Sequence, residues 1–219
     1  DKGGVEYLDD GSFYAFTEHK SHGSAKMYIY GRFSEIPTDT AICESAGLAT
    51  FSSDEIIMKL ATSYISPEAA KHNFELELEN KTFDDVCNEA IEKWNEVFSI
   101  FTDIKGAREA QLENVYTSLY YLYKYPNLMS ENVGTNEAPV YKYRSPYSGE
   151  IENGIIYINN GFWDTYRNTW AAYALLTPTQ DSVMLDGFVQ HYVEQGWIPR
   201  WIAPGGANSM VGTSSDIIF

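Results

Sequence analysis

The sequence predicts an α+β protein in which short β-strands come first and long α-helices follow. Up to about residue 65, short runs of strand-forming residues alternate with breaks that contain Gly, Ser and Asp. Beyond that point apolar side chains recur at helical spacing, except in an irregular region over residues 130–160. This order of elements indicates two domains with a boundary near residues 66–81.

Three stretches are predicted to be strands. Residues 12–17 are rich in aromatic strand formers. In residues 25–33 and 56–65, apolar side chains fall on alternate positions, so each stretch has two different faces. Short strands at such intervals are typical of a β-sandwich, although these are too few to close one by themselves.

Capping residues mark the first helices. Ser66 followed by Pro67 is a typical helix start, because proline is favoured in the first turn. Thr82 can cap the next helix, whose acidic first turn complements the helix dipole. A further helix is predicted over residues 108–124, before Pro126.

Two more helices are predicted after the irregular region. One runs from residue 162 or 163 to about residue 176. The other begins in the Thr-Pro-Thr-Gln sequence at residues 177–180, a capping-box pattern with proline in the first turn. It ends at Gly196, which suits the left-handed conformation that closes many helices.

The composition argues against some classes of partner. The formal net charge is −16 over 219 residues, so nucleic-acid backbones and anionic membrane surfaces would be repelled. No apolar run approaches the roughly 20 residues that span a membrane. Aromatic residues make up 15% of the chain, and the flat faces and polar tips of Tyr and Trp suit amphipathic ligands such as sugars.

Cysteine and histidine give no strong signal of a disulfide framework or a metal centre. Cys43 and Cys87 have no framework spacing, so we expect two free, buried thiols. His19 and His22 are close in sequence, but two ligands alone are a weak metal signal, and a polar loop is the simpler interpretation. The sequence also lacks a phosphate-binding loop, a dinucleotide fingerprint and a serine-hydrolase elbow.

The first candidate site surrounds Asp164. Gly161 would let the backbone turn tightly before a helix, and Asp164 and Arg167 would then lie on one helical face. The carboxylate could accept two sugar hydroxyls, Arg167 could donate to others, and Trp163 could stack on a sugar ring. In the alternative interpretation, Asp164 stabilises the helix dipole and pairs with Arg167.

Two further candidates lie downstream. Trp197, Arg200 and Trp201 stand in a loop after a helix. Exposed aromatic rings there would contact a ligand, and buried ones would anchor the loop. Asp216 follows a stretch of Thr and Ser that could open another helix, so its side chain would either cap that helix or face a cavity.

Three motifs, in their order and spacing, resemble the central region of the α-mannosidases of glycoside hydrolase family 92. They are NGFWDTYR at 160–167, GWIPRW at 196–201 and MVGTSSD at 210–216. The upstream sequences SYIS at 63–66, EKWN at 92–95 and YTSLY at 116–120 are similar too. The resemblance therefore covers nearly the whole chain.

The resemblance implies a longer enzyme. Such enzymes pack an N-terminal β-sandwich on a catalytic (α/α)6 toroid and release α-linked mannose from non-reducing ends with inversion, using bound calcium. On this basis residues 1–75 are the last strands of the sandwich plus a linker. Residues 76–219 are then the first helices of an incomplete toroid.

The resemblance also implies a set of substrate-binding residues. They are Trp163, Asp164, Arg167, Arg200, Trp201 and Asp216. Within this set, Asp164 and Arg167 would hold hydroxyls of the terminal mannose, and the others would shape the pocket. A role for Asp164 as catalytic acid or base is the less favoured alternative, because an Asp beside an Arg tends to stay ionised.

The chain alone is expected to be inactive, because the general acid, the general base and the calcium ligands are expected beyond Phe219. The expected substrate is terminal mannose in glycans, α-1,2-linked, and the expected partner is the remainder of the parent polypeptide. The resemblance implies a bacterial enzyme exported to the periplasm or cell surface. The alternatives are a trehalase- or glucoamylase-like hydrolase, and a non-catalytic glycan-binding or structural fragment.

Overall fold

Six strands occupy the beginning of the chain, and helices interspersed with short strands follow, which confirms the α+β prediction. The computed structural model describes residues 2–18 and 25–219, so His19 and His22 lie outside the described residues. The chain forms two compact units. The first consists of Asp1–Asn80, Met129–Ile155 and Ala203–Gly206, and the second of Lys81–Leu128, Ile156–Ile202 and Ala207–Phe219. The domain boundary at residue 75 stays a prediction.

Six strands open the first unit. They are β1 (Lys2–Tyr7), β2 (Ser12–Glu18), β3 (Lys26–Phe33), β4 (Asp39–Cys43), β5 (Ala46–Thr50) and β6 (Met58–Ser63). β4 and β5 form a hairpin, and the others form an antiparallel sheet in the order β1-β2-β3-β6. In its register Tyr14 lies opposite Tyr30, which lies opposite Ala61. The three predicted strands are present as β2, β3 and β6.

Helix α1 (Pro67–Glu77) packs on one face of this sheet. Ser66 caps the helix as predicted, because its hydroxyl accepts a hydrogen bond from Ala69 N at 3.1 Å. The ring edge of Phe74 meets Tyr30 at 5.1 Å between centroids. The buried cluster between helix and sheet consists of Tyr30, Ala61, Ala70 and Phe74. Removal of these apolar surfaces from water holds the helix on the sheet.

The remaining elements follow in chain order. They are α2 (Phe83–Phe98), α3 (Glu109–Tyr123), β7 (Asn127–Leu128), β8 (Glu131–Asn132), β9 (Tyr141–Arg144), β10 (Ile151–Asn153), β11 (Tyr157–Ile158), β12 (Asn160–Gly161), α4 (Phe162–Thr165), α5 (Thr169–Leu176), α6 (Pro178–Gln195), β13 (Trp201–Ala203), β14 (Gly205–Ala207) and a 3₁₀ helix (Ser214–Ile217). Strands β8, β9 and β10 form a small sheet of the first unit, and β7 pairs with β11 in the second.

A carboxylate ties β8 to the rest of the first unit. Glu131 accepts hydrogen bonds from Tyr64 N at 2.6 Å and from Asn73 Nδ2 at 3.1 Å. Arg144, at the end of β9, donates to the carbonyl of Tyr64 at 3.1 Å. Bonds to charged groups are stronger than neutral ones, so these contacts fix the segment that leads from β6 into α1.

The core of the second unit is aromatic. Phe162, Trp170, Tyr173 and Phe188 are buried, and Phe162 meets Phe188 in a T-shaped contact at 5.3 Å. The Tyr173 hydroxyl lies 2.6 Å from the carbonyl oxygens of both Leu122 and Tyr125, so α5 is linked to the end of α3. This core lies directly beneath α4, which begins with Phe162.

Two details of the predicted helices are wrong. The helix predicted from residue 162 to 176 is interrupted between α4 and α5, where Asn168 leaves the helical conformation, with φ of −141° and ψ of −41°. The capping box predicted at Thr177 is absent from this described segment. Its hydroxyl lies 3.2 Å from that of Tyr123, so a tertiary partner replaces the local one.

Both cysteines are free, as expected, but the expectation that they are buried is wrong. Cys43 lies in the exposed β4–β5 hairpin, and Cys87 lies in α2. Helix α2 is described over its whole length, and none of its residues is buried. In the described part of the chain, no helix is both long and apolar enough to cross a membrane.

Candidate functional site

Pairing of two short strands brings the first and second motifs together. In β12 and β13, Gly161 lies opposite Trp201, and Asn160 lies opposite Ile202. Just beyond the pair, Phe162 N donates to Arg200 O at 3.2 Å. The start of α4 is thereby fixed against the segment that carries Arg200 and Trp201.

The contact that defines the site joins Trp201 to Asp164. Trp201 Nε1 donates to Asp164 Oδ2 at 3.0 Å, across 37 residues of sequence. Gly161 makes room for this bond, since a Cβ there would collide with Trp201 Nε1 and Asp164 Oδ2. The prediction that Gly161 serves a tight turn is wrong, because its φ of −103° and ψ of 103° are open to other residues. A close approach of side chains requires the glycine instead.

Buried side chains support this arrangement from below. Phe162 is fully buried beneath α4, and its ring contacts those of Trp170, Phe188 and Phe219. The Trp170 indole donates to Thr165 Oγ1 at 3.0 Å, and that hydroxyl lies 3.3 Å from Asn160 Oδ1. The buried Nδ2 of Asn160 has no hydrogen-bond partner in the described part of the chain. Asn160 and Thr165 both belong to the first motif, but neither was predicted to have a role in the site.

Arg167 rests on aromatic rings. Its guanidinium carbon lies 4.7 Å from the ring centroid of Tyr166 and 5.7 Å from that of Trp163, which is 37% exposed. Asp164 and Arg167 are both exposed. Within residues 2–18 and 25–219 no ion pair joins them, so the alternative in which Asp164 pairs with Arg167 is not what the structure contains.

Among the residues that the structure describes, the remaining predicted ones, Arg200 and Asp216, do not contact Asp164 in the way that Trp201 does. Arg200 Nη1 donates to Met210 O at 2.8 Å, which ties the second motif to the third. Asp216 lies in the 3₁₀ helix, is exposed, and its backbone N–H donates to Thr213 O at 3.0 Å. This helix contacts α4. Of the predicted residues, the structure therefore brings Asp164 into contact with Trp201, and Arg167 into contact with Trp163. The Arg200 side chain instead donates to a backbone carbonyl.

The side chains of the site have the chemistry to hydrogen-bond to a polar ligand and to stack on a ring. Asp164 offers a hydrogen-bond acceptor, Arg167 a planar donor, and Trp163 an exposed apolar face. Across the described residues, no group of three or more His, Cys, Asp or Glu could hold a metal ion.

Residues 69–219, more than half of the chain, match the model of the catalytic domain of glycosyl hydrolase family 92. The chain belongs to this family. No curated protein matches it. The family assignment agrees with the resemblance inferred from the three motifs, and it places all six predicted binding residues inside the matched catalytic domain.

Solved structures of family 92 share the fold. An inverting mannosidase from Bacteroides thetaiotaomicron VPI-5482 is 23% identical, and the match covers 97% of this chain and 31% of that one, with a TM-score of 0.85. A family 92 α-mannosidase from Bacteroides thetaiotaomicron is 18% identical over 91% of this chain and 30% of that one, with a TM-score of 0.75. It has also been solved in complex with mannoimidazole. The chain thus spans less than a third of these structures.

Proposed function

We propose that the protein releases terminal α-linked mannose from glycans by hydrolysis, and that this chain supplies part of the sugar-binding site. One observation carries the proposal. The exposed carboxylate of Asp164 is held by Trp201, next to Trp163 and Arg167, inside the segment that matches the family 92 catalytic domain. Structures with the same fold include enzymes described as mannosidases.

The proposed contacts use both faces of a sugar. Hydroxyl groups donate as well as accept, so Asp164 would accept from one hydroxyl and Arg167 would donate to another. The exposed ring of Trp163 would cover the C–H face of the mannose. Arg200 and Trp201 would define the wall of the pocket, and Asp216 would be a further contact on the 3₁₀ helix.

Hydrolysis itself requires groups that we place beyond Phe219. Inversion needs a carboxylic acid that protonates the leaving oxygen and a carboxylate that takes a proton from the attacking water, about 6.5–9.5 Å apart. The water oxygen bonds to the anomeric carbon as the glycosidic bond breaks, which yields mannose and a shortened glycan. On this proposal the chain binds and orients the sugar, and it is inactive alone.

Other parts of the proposal rest on the family resemblance. They are the preference for α-1,2 linkages, export to the periplasm or cell surface, and dependence on calcium. When bound, calcium would engage sugar hydroxyls. As the family resemblance implies, we place its ligands outside this chain.

The test is product release by the full-length natural protein that contains these residues. It should release mannose from α-1,2-linked mannobiose, with the inverted anomer appearing first in the NMR spectrum. A chelator should reduce the rate and added calcium should restore it. Glucose release from trehalose or maltose, without mannose release, would contradict the proposal and favour the other toroid hydrolases. Binding of mannobiose without hydrolysis would favour a non-catalytic glycan-binding protein.

A further inference from the structure

We propose that Trp201 is a positioning residue that fixes the carboxylate of Asp164 for the sugar, rather than a residue that only shapes the pocket wall. This inference rests on the proposed function. It assigns a specific act to the indole N–H, which donates to Asp164 Oδ2 at 3.0 Å. The contact leaves the whole of Oδ1 for a sugar hydroxyl.

The backbone holds Trp201 where this bond requires it. Trp201 lies opposite Gly161 in the β12–β13 pair, and Phe162 N donates to Arg200 O beside it. The indole therefore crosses Gly161 and reaches the carboxylate one turn later, at Asp164. Any side chain at position 161 would meet the same indole and carboxylate atoms.

An external support for Asp164 is needed because its own helix is short. α4 has only four residues, and Asp164 is exposed, so burial does not fix the orientation of its side chain. The indole is a rigid group with one donor and no acceptor, so it can orient the carboxylate without competing for sugar hydroxyl donors. Fixing a side chain before the ligand arrives reduces the entropy lost on binding.

The aromatic side chains also keep Asp164 and Arg167 apart. Arg167 rests on the rings of Tyr166 and Trp163, while Asp164 is bound by Trp201. Residues three positions apart on one turn are close enough to form an ion pair, which would neutralise both groups. With each group held by a different aromatic residue, the acceptor and the donor both remain available to the sugar.

The kinetic test is Trp201→Phe in the full-length natural protein, with Trp94→Phe as the matched control. Trp94 lies in α2, where it packs against Phe98 and Tyr120. Loss of one hydrogen bond to a charged group should lower kcat/KM by about tenfold. The loss should fall mainly on KM, because the contact exists before the bond breaks. Trp94→Phe should leave both constants unchanged.

A double-mutant cycle separates positioning from general damage. In an Asp164→Ala background, Trp201→Phe should have almost no further effect, because the group that it positions is gone. An equal loss in both backgrounds would overturn the inference. A wild-type protein that releases no mannose would instead overturn the proposed function, and this is measured before any variant.

A spectroscopic measurement tests the contact without any substrate. In protein labelled with ¹⁵N-tryptophan, the indole resonance of Trp201 is assigned by its loss in Trp201→Phe. Asp164→Asn should move that resonance and leave the resonance of Trp94 in place. An unmoved Trp201 resonance would overturn the inference even if mannose release is normal.

Discussion

Gly161→Ala probes the packing of the site through a single methyl group. The added Cβ would collide with Trp201 Nε1 and Asp164 Oδ2, and it would also lie 2.6 Å from Trp201 Cε2. The indole belongs to a paired strand, so it cannot move away without loss of the contact to Asp164. The carboxylate can rotate, but it then leaves the indole N–H without its acceptor.

Two opposing terms set the size of the effect. Overpacking a fitted contact destabilises by about 1–3 kcal/mol. Replacement of glycine by alanine stabilises by about 0.4–1 kcal/mol through the unfolded state, where the backbone suits alanine. The φ and ψ of Gly161 do suit alanine, so this second term applies. We expect the free energy of unfolding to fall by about 1–2 kcal/mol on balance.

Urea denaturation followed by circular dichroism would measure the effect, with Trp201→Ala as a second background. In that background the indole is absent, so Gly161→Ala should be neutral or slightly stabilising. Two results would refute the reasoning. One is a Gly161→Ala protein at least as stable as the wild type, and the other is an equal loss in both backgrounds.

Three further substitutions test other parts of the structure. Tyr173→Phe should lower the free energy of unfolding by about 1–2 kcal/mol in urea, because the carbonyl of Leu122 loses a buried donor. Burial lowers the pKa of His191, so the unfolded chain binds more protons as the pH falls below about 6.5. The contribution of neutral His191 to the free energy of unfolding should therefore be fully present above that pH. It should decrease below that pH, by at most about 1.4 kcal/mol per pH unit, and His191→Gln should show a less steep decrease. Thr82→Ala should destabilise the first turn of α2 by about 1 kcal/mol, measured by amide hydrogen exchange.

Each of these three has a clear contrary result. Unchanged stability of Tyr173→Phe would mean that its hydroxyl is not bound in the core. A pH profile that His191→Gln leaves unaltered would assign the acid sensitivity to other groups. Unchanged exchange in the first turn of α2 would mean that Thr82 does not cap the helix.

Elements whose signals are local were predictable from the sequence. Ser66 and Thr82 both cap the helices that they were expected to begin, because each bonds a backbone N–H three residues away. Gly196 ends α6 in the left-handed conformation, with φ of 85°. Thr177 has equally good local chemistry but lies beside Tyr123, 54 residues earlier in the chain. A contact between residues so far apart in the chain cannot be predicted from the residues next to Thr177.

The sequence indicated which residues lie in the candidate site, but not which of them contact one another. The motifs pointed to Asp164 and Trp201, but the bond between them depends on strands of two and three residues, which are too short for a periodic pattern. Gly161 was assigned to a turn because glycine usually signals backbone freedom, whereas here it makes room for two side chains. The substrate roles of the six binding residues stay predictions.

The most direct measurement of the central claim is mannose release by Asp164→Asn in the full-length natural protein. Asp84→Asn is the matched control, because Asp84 is also an exposed first-turn aspartate, in α2. Hydrogen bonds from sugar hydroxyls to a charged acceptor predict that kcat/KM for α-1,2-mannobiose falls by about 10- to 100-fold in Asp164→Asn. The control should keep the wild-type value. Near-normal kinetics of Asp164→Asn would contradict the account.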